Sequence, residues 1–263
     1  MRSTMSYKYS RQHFKQHFQF VAIALLFKTI VLPVFLADAQ AQTFEPPAGN
    51  PAPTITLGGG RRGNDGQCST DKSDSGKSIK ETDSKTKETL EQQLSPLLPS
   101  GRLGLTVASN PKFFAYIPKT TAIAVEFIIE NEQGKGIARK RVDLTTTPSI
   151  VSVQFEKTPL EVGKHYKWLI SVVCQNGDPE DSFSEGIVRR IQPPSTLLAK
   201  LEKASAIEQV YIYAKSGIWH EAIADLANLR LAQPDNAELK AIWLNLLKSS
   251  SLESVATAPF NQP

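Results

Sequence analysis

The sequence predicts an α+β protein organised by domain: an antiparallel immunoglobulin-like β-sandwich followed by a small tetratricopeptide-like helical segment. Three observations carry this expectation. From Leu103 to Ile191 the chain runs in short stretches of alternating apolar and polar residues, separated by Pro, Gly and Asn, as a sheet protein does. No helical stretch interrupts them, so the strands must pair mainly antiparallel, and two packed sheets bury alternating faces best. After Pro193-Pro194 the apolar period changes from that of a strand to that of a helix.

Taken in order, residues 1–41 carry the three parts of a secretory signal: a basic start, an apolar middle from Phe20 to Leu36, and small residues before a cut. Cleavage fits after Ala39 or after Ala41, and the second is preferred because Gln42-Thr43 then opens a polar linker. Lys28 splits the apolar stretch, which leaves it short of the ~20 residues a spanning helix needs. This segment holds five basic residues and one acid, Asp38, which accounts for the whole net charge of +4. The exported product is therefore neutral and lacks the basic field that nucleic acid would require.

Residues 42–57 form a Pro-rich linker, with Pro46, Pro47, Pro51 and Pro53 favouring extended backbone. Residues 58–68 form a Gly-rich loop ending at Cys68, in which Arg61 and Arg62 lie among glycines suited to a tight loop or an anion-binding nest. Residues 69–93 are a charged insert expected to be flexible. Its Gly76-Lys77-Ser78 imitates a phosphate-binding loop, but Asp71 stands where the earlier glycine belongs. Asp71, Asp74 and Gly76 fail likewise as a calcium loop, because Thr82 occupies the acidic twelfth position.

The sandwich is assigned to residues 94–192, with about seven strands at 103–107, 113–117, 122–130, 137–145, 150–156, 166–174 and 185–191. In the sixth, Tyr166, Trp168, Ile170, Val172 and Cys174 share a face that should lie in the core, leaving His165 and Lys167 outward. The third and fourth should form a hairpin across Asn131–Gly136. Helices follow over 195–248: Ser195 or Thr196 caps the first, Gly217 stops it, Pro234 ends the second, and Asp235 with Glu238 stands at capping-box spacing before the third. Tyr213, Gly217, Ala222, Leu226 and Pro234 reproduce the spacing of one tetratricopeptide-like unit. One unit is too little for a solenoid, so a helical cap on the sandwich is expected. Residues 249–263, rich in Ser and containing Pro, read as a disordered tail.

Chemistry narrows further. The chain has two cysteines, and in an exported protein Cys68 and Cys174 are expected to be oxidised to each other. Of four histidines only His165 and His220 follow the signal, which excludes multi-histidine metal sites; both read as surface residues. No catalytic residue, metal site or cofactor is expected. Arg139 and Arg141 share one side of a strand and, with Arg61 and Arg62, are the candidate binding residues. Asp178, Glu180 and Asp181 cluster around Pro179 as a solvated turn, or as half of a carboxylate pair completed by Glu161.

Gly58-Gly59-Gly60-Arg61-Arg62-Gly63 with Cys68, Phe113–Pro118, Tyr166-Lys167-Trp168 through Cys174, Gly186–Arg190 and Tyr213–Trp219 occur in an order that resembles the cyanobacterial domain-of-unknown-function family 928. The resemblance spans about residues 58–250. It implies export and this order of domains, brings no activity, and marks the 69–93 insert as a variable loop. The resulting expectation is an exported, periplasmic or extracellular, non-catalytic binding or adaptor protein of the cell envelope. Its partner would be an envelope protein or glycan, not nucleic acid, and no stable transmembrane anchor would remain after signal cleavage. The alternatives are a carboxylate-dependent hydrolase or carbohydrate-active enzyme, and a weak binder of anionic envelope surfaces.

Overall fold

Among the described residues, eight strands and four α-helices form two sheets with the helices against them. The computed structural model describes residues 43–45, 68, 90–99, 101, 103–175 and 179–262, with backbone alone for 179–182. The signal, the Gly-rich loop with Arg61 and Arg62, and nearly all of the charged insert lie outside the described residues.

Each of the seven alternating stretches holds a strand. They are β2 (Leu103–Thr106), β3 (Lys112–Ile117), β4 (Ala124–Glu130), β5 (Gly136–Asp143), β6 (Ser149–Gln154), β7 (His165–Val173) and β8 (Pro179–Arg190). A further short strand, β1 (Ser95–Pro96), pairs with β3. One sheet has the order β1-β3-β6 and the other β2-β8-β7-β4-β5. Every pairing is antiparallel except β2 with β8, which is parallel. The protein is therefore α+β with one mixed sheet.

Alternation decides which face each strand buries. Val125, Phe127 and Ile129 of β4 and Tyr166, Trp168, Ile170 and Val172 of β7 are all buried on one face. Phe113 of the smaller sheet reaches this face, its ring centroid 5.2 Å from that of Trp168. Gly186 lies opposite Trp168 in register, and a Cβ there would stand 2.9 Å from Trp168 Nε1, so glycine makes room for the indole. The β4–β5 hairpin closes as expected. Asn131 Oδ1 accepts from the amides of Gln133 (3.1 Å) and Lys135 (3.0 Å), and Gly134 supplies the positive φ of +73°.

Four helices replace the three expected: α1 (Ser195–Leu201), α2 (Ala206–Lys215), α3 (Trp219–Ala232) and α4 (Ala237–Lys248). The additional break is local chemistry. Ser205 and Glu208 form a reciprocal capping box, Ser205 N donating to Glu208 Oε2 (2.7 Å), and this restarts the chain as α2. Pro194 is the N-cap of α1, and Asn236 rather than Asp235 caps α4, accepting from Glu238 N and Leu239 N.

One hydrophobic core runs through both the sheets and the helices. All three tryptophans are buried in it, each contributing roughly 2–3 kcal/mol of apolar burial. Trp219 opens α3, donates from Nε1 to Leu97 O (2.7 Å) and receives the edge of Phe44 at 5.0 Å. Phe44 belongs to the stretch read as a solvated linker, yet it is buried.

The C-terminal tail is ordered, contrary to expectation. Leu252, Val255 and Ala256 are buried, and Phe260 bridges to Ile150 of β6 in parallel. Ile150 N donates to Pro259 O (2.7 Å) and Asn261 N to Ile150 O (2.8 Å), so the tail pairs with the edge of the smaller sheet. No helix among the described residues is long and apolar enough to cross a membrane.

Candidate functional site

Where β2 ends and β3 begins, the loop between them meets the first turn of α3. Trp219 enters the core, and the next two residues, His220 and Glu221, are thereby aimed at the end of the sheet. Oε1 of Glu221 accepts three hydrogen bonds: from Thr106 Oγ1 (2.6 Å), Ala108 N (2.9 Å) and Val107 N (3.1 Å). Its Oε2 is shielded from solvent and has no hydrogen-bond partner among the described residues. Burial raises the Glu221 carboxyl above the usual carboxylate range, with the three donors pulling the other way.

His220 is buried as well, which overturns its reading as a surface residue. Nδ1 lies 3.2 Å from Lys112 O, and because a carbonyl can only accept, Nδ1 carries the proton and Nε2 the lone pair. Burial pushes the ring pKa down to about 4, so it is neutral at physiological pH. The ring sits edge-on to Phe113 at 5.2 Å and against the backbone of Gly104, where a Cβ would lie 2.6 Å from Nε2. Glycine in this strand admits the imidazole.

Outside these contacts lies a cleft of about 230 Å³ lined by Lys112, Gln154, Glu221, Asp225 and Asn228 among others. Lys112 Nζ donates to Asn228 Oδ1 (3.2 Å), and burial raises the Asp225 carboxyl while Lys112 lowers it. Glu221 and Asp225, at i and i+4, share a face of α3. Two carboxyls of raised pKa beside a cation have the ingredients of acid–base chemistry. Their contacts, however, chiefly join helix to sheet. Among the described residues no group of three or more His, Cys, Asp or Glu is arranged to hold a metal ion.

The residues singled out from sequence fall elsewhere. Cys68 and Cys174 are joined in a disulfide, Cα to Cα 5.8 Å, at the end of β7 and across 106 residues of chain. Arg139 and Arg141 do share the outer side of the edge strand β5, but each faces an acid: Arg139 Nη1 lies 3.5 Å from Glu126 and Arg141 Nε 3.4 Å from Asp143. Lys167 adds a pair with Glu130 at 2.8 Å, so this face is balanced in charge. His165 has the outward direction that alternation assigns, yet it is buried there, with Glu132 Oε1 3.8 Å from Nδ1 and a pKa lowered first by burial and then by Arg189. Glu161 is exposed and pairs with Lys164 at 3.9 Å. Asp178 and the side chains of Glu180 and Asp181 lie outside the described residues.

Sequence reasoning missed Glu221, Asp225 and Lys112. One signal was present: Gly104 between Leu103 and Leu105 in a strand marks a close approach.

Domain of Unknown Function (DUF928) is the family whose pattern matches residues 58–260. The chain belongs to this family. Comparison with curated proteins finds no match. Among solved structures, CopC from Methylosinus trichosporium OB3b is similar at 12% identity and a TM-score of 0.28, over 39% of this chain and 98% of that one. The soluble domain of PmoD from Methylocystis sp. ATCC 49242 (Rockwell) is similar at 12% identity and 0.25, over 33% and 77%. Astrotactin-2, a vertebrate-specific, perforin-like membrane protein, gives 15% and 0.27, over 62% of this chain and 37% of that one. Likenesses of this size assign this DUF928 chain neither a ligand nor a role.

Proposed function

We propose that this DUF928 protein is an exported, non-catalytic binding or adaptor protein of the cell envelope, built as an immunoglobulin-like sandwich with a tetratricopeptide-like helical cap. The observation that carries the reading is the Cys68–Cys174 disulfide, because such bridges persist in oxidising compartments and a signal-like segment precedes it. The groups an enzyme would recruit support the non-catalytic half. His220 is buried and neutral with its Nδ1 spent on Lys112 O, and Glu221 Oε1 is filled by three donors. Phe113 against Trp168 supports the sandwich, and Gly217 at φ +69°, between α2 and α3, supports the helical unit.

Fusing residues 1–45 to an alkaline phosphatase that is active only after export tests the compartment. Phosphatase activity supports the proposal, and an inactive fusion contradicts it. Cross-linked capture from envelope fractions should recover one reproducible partner. Its absence, together with hydrolytic activity that Glu221→Gln abolishes, would favour the enzyme instead.

A further inference from the structure

A groove of about 650 Å³ lies between α1 and α2. Ala204, Tyr211 and Ile212, all half-buried, line it, and exposed Lys200, Lys203 and Lys215 stand around it. None of these lysines has an ion pair among the described residues. The one acid at the groove, Glu208, is drawn into the α2 capping box by Ser205 N at 2.7 Å. The groove thus joins apolar side chains to an excess of uncompensated positive charge, on a chain whose basic and acidic residues balance after residue 41.

We infer that this groove docks an acidic peptide segment carrying an apolar side chain, with carboxylates meeting Lys200, Lys203 and Lys215 and the apolar group resting on Tyr211 and Ile212. Long lysine stems suit this arrangement, since they cover apolar surface while their ammonium groups stay at the rim. A volume of this size falls in the range of small-ligand pockets, about 300–1,000 Å³, enough to seat an apolar side chain. Concavity favours a peptide over an anionic membrane: a flat surface would meet the ammonium groups but leave Tyr211 and Ile212 uncovered. Outside the groove, residues 42–263 carry slightly more acidic than basic side chains, which would not hold the protein at such a surface. The inference rests on the binding or adaptor reading and names the chemistry of its partner.

The test uses the full exported chain with its disulfide intact and a fluorescent short peptide alternating Glu and Leu. Controls are the same peptide with Lys for Glu, and phosphatidylglycerol vesicles. Anisotropy should saturate with the acidic peptide alone, weaken with added salt, and weaken about ten-fold in K203E/K215E, whose thermal unfolding should match the parent because both sites are exposed. Replacing Ile212 with Ser should weaken binding without changing its salt dependence. Absence of acidic-peptide binding, binding unchanged in K203E/K215E, or equal retention on the vesicles would each overturn the inference. Partner capture separates it from the broader proposal. If an envelope partner is recovered equally by parent and K203E/K215E, the adaptor reading stands and the groove is not its site.

Discussion

Glu221 concentrates three donors on one carboxylate oxygen, so its removal and its neutralisation should differ sharply. Glu221→Ala leaves Thr106 Oγ1 and two loop amides without their acceptor and should cost about 1–3 kcal/mol in urea unfolding. Glu221→Gln keeps an acceptor and removes the burden of ionising in a buried place, and should cost less than half as much. The neighbouring His220 makes a pH prediction of definite sign. Its folded pKa of about 4 lies below the ordinary imidazole value of 6.5, so between these the unfolded chain binds the extra proton and stability falls as pH falls. Glu221, raised by burial, holds its proton longer in the folded state and opposes this trend, as does Asp225; His165, lowered by burial, follows it. Comparison with His220→Gln isolates the ring. The parent should lose about 3 kcal/mol relative to H220Q from above pH 6.5 to pH 4, and parallel curves would contradict the burial. Neither role was legible in the sequence around Trp219-His220-Glu221. The helical period can mark Trp219 and Ala222 as inward, but what meets His220 is Gly104, more than a hundred residues earlier, and only the sheet brings them together.

The elements were legible where periodicity alone decides them and obscure where a distant partner does. Strand β7 alternates so regularly that its buried face follows from the sequence, and Asn131 through Gly136 announces its own turn. The parallel pairing of β2 with β8 leaves no such mark, since alternation is the same in either direction. Strand β1 is two residues long and contains proline, so it carries no periodic signal. The tail is the clearest case. Its apolar residues are sparse, and half-buried Phe260 is met by side chains of α3 and α4: the Arg230 guanidinium carbon stands 5.3 Å from its ring centroid, and Trp243 meets it edge-on at 5.3 Å. Asn261 adds a second anchor, its Oδ1 accepting from Thr145 N at 2.8 Å. Phe260→Ala should therefore cost about 1–2 kcal/mol and accelerate amide exchange at Ile150, whose N–H the tail covers. Unchanged exchange at Ile150 would show that the tail does not hold that edge.

For the whole molecule, the central point is that one core, shared by two sheets and four helices, is tied to Cys68, 106 residues upstream of Cys174, by a disulfide of the kind that persists in oxidising compartments. Basic and acidic residues balance after residue 41, and the arginines on the outer side of β5 are paired with acids, so the uncompensated lysines between α1 and α2 stand out as a local feature. The cysteine pairing was legible from the count of two and the expected export alone. The groove was not, because it depends on a break between α1 and α2 that the three-helix expectation passed over. Removing the bridge by Cys174→Ser should lower stability by about 2–5 kcal/mol, since the closed loop spans most of the sheet sequence. The decisive measurement is non-reducing peptide mass spectrometry on protein recovered from the cell-envelope and external fractions, with free thiols alkylated at lysis. A Cys68–Cys174 cross-linked peptide and no alkylated cysteine is the predicted result; recovery in the cytosol with both thiols alkylated would contradict the account.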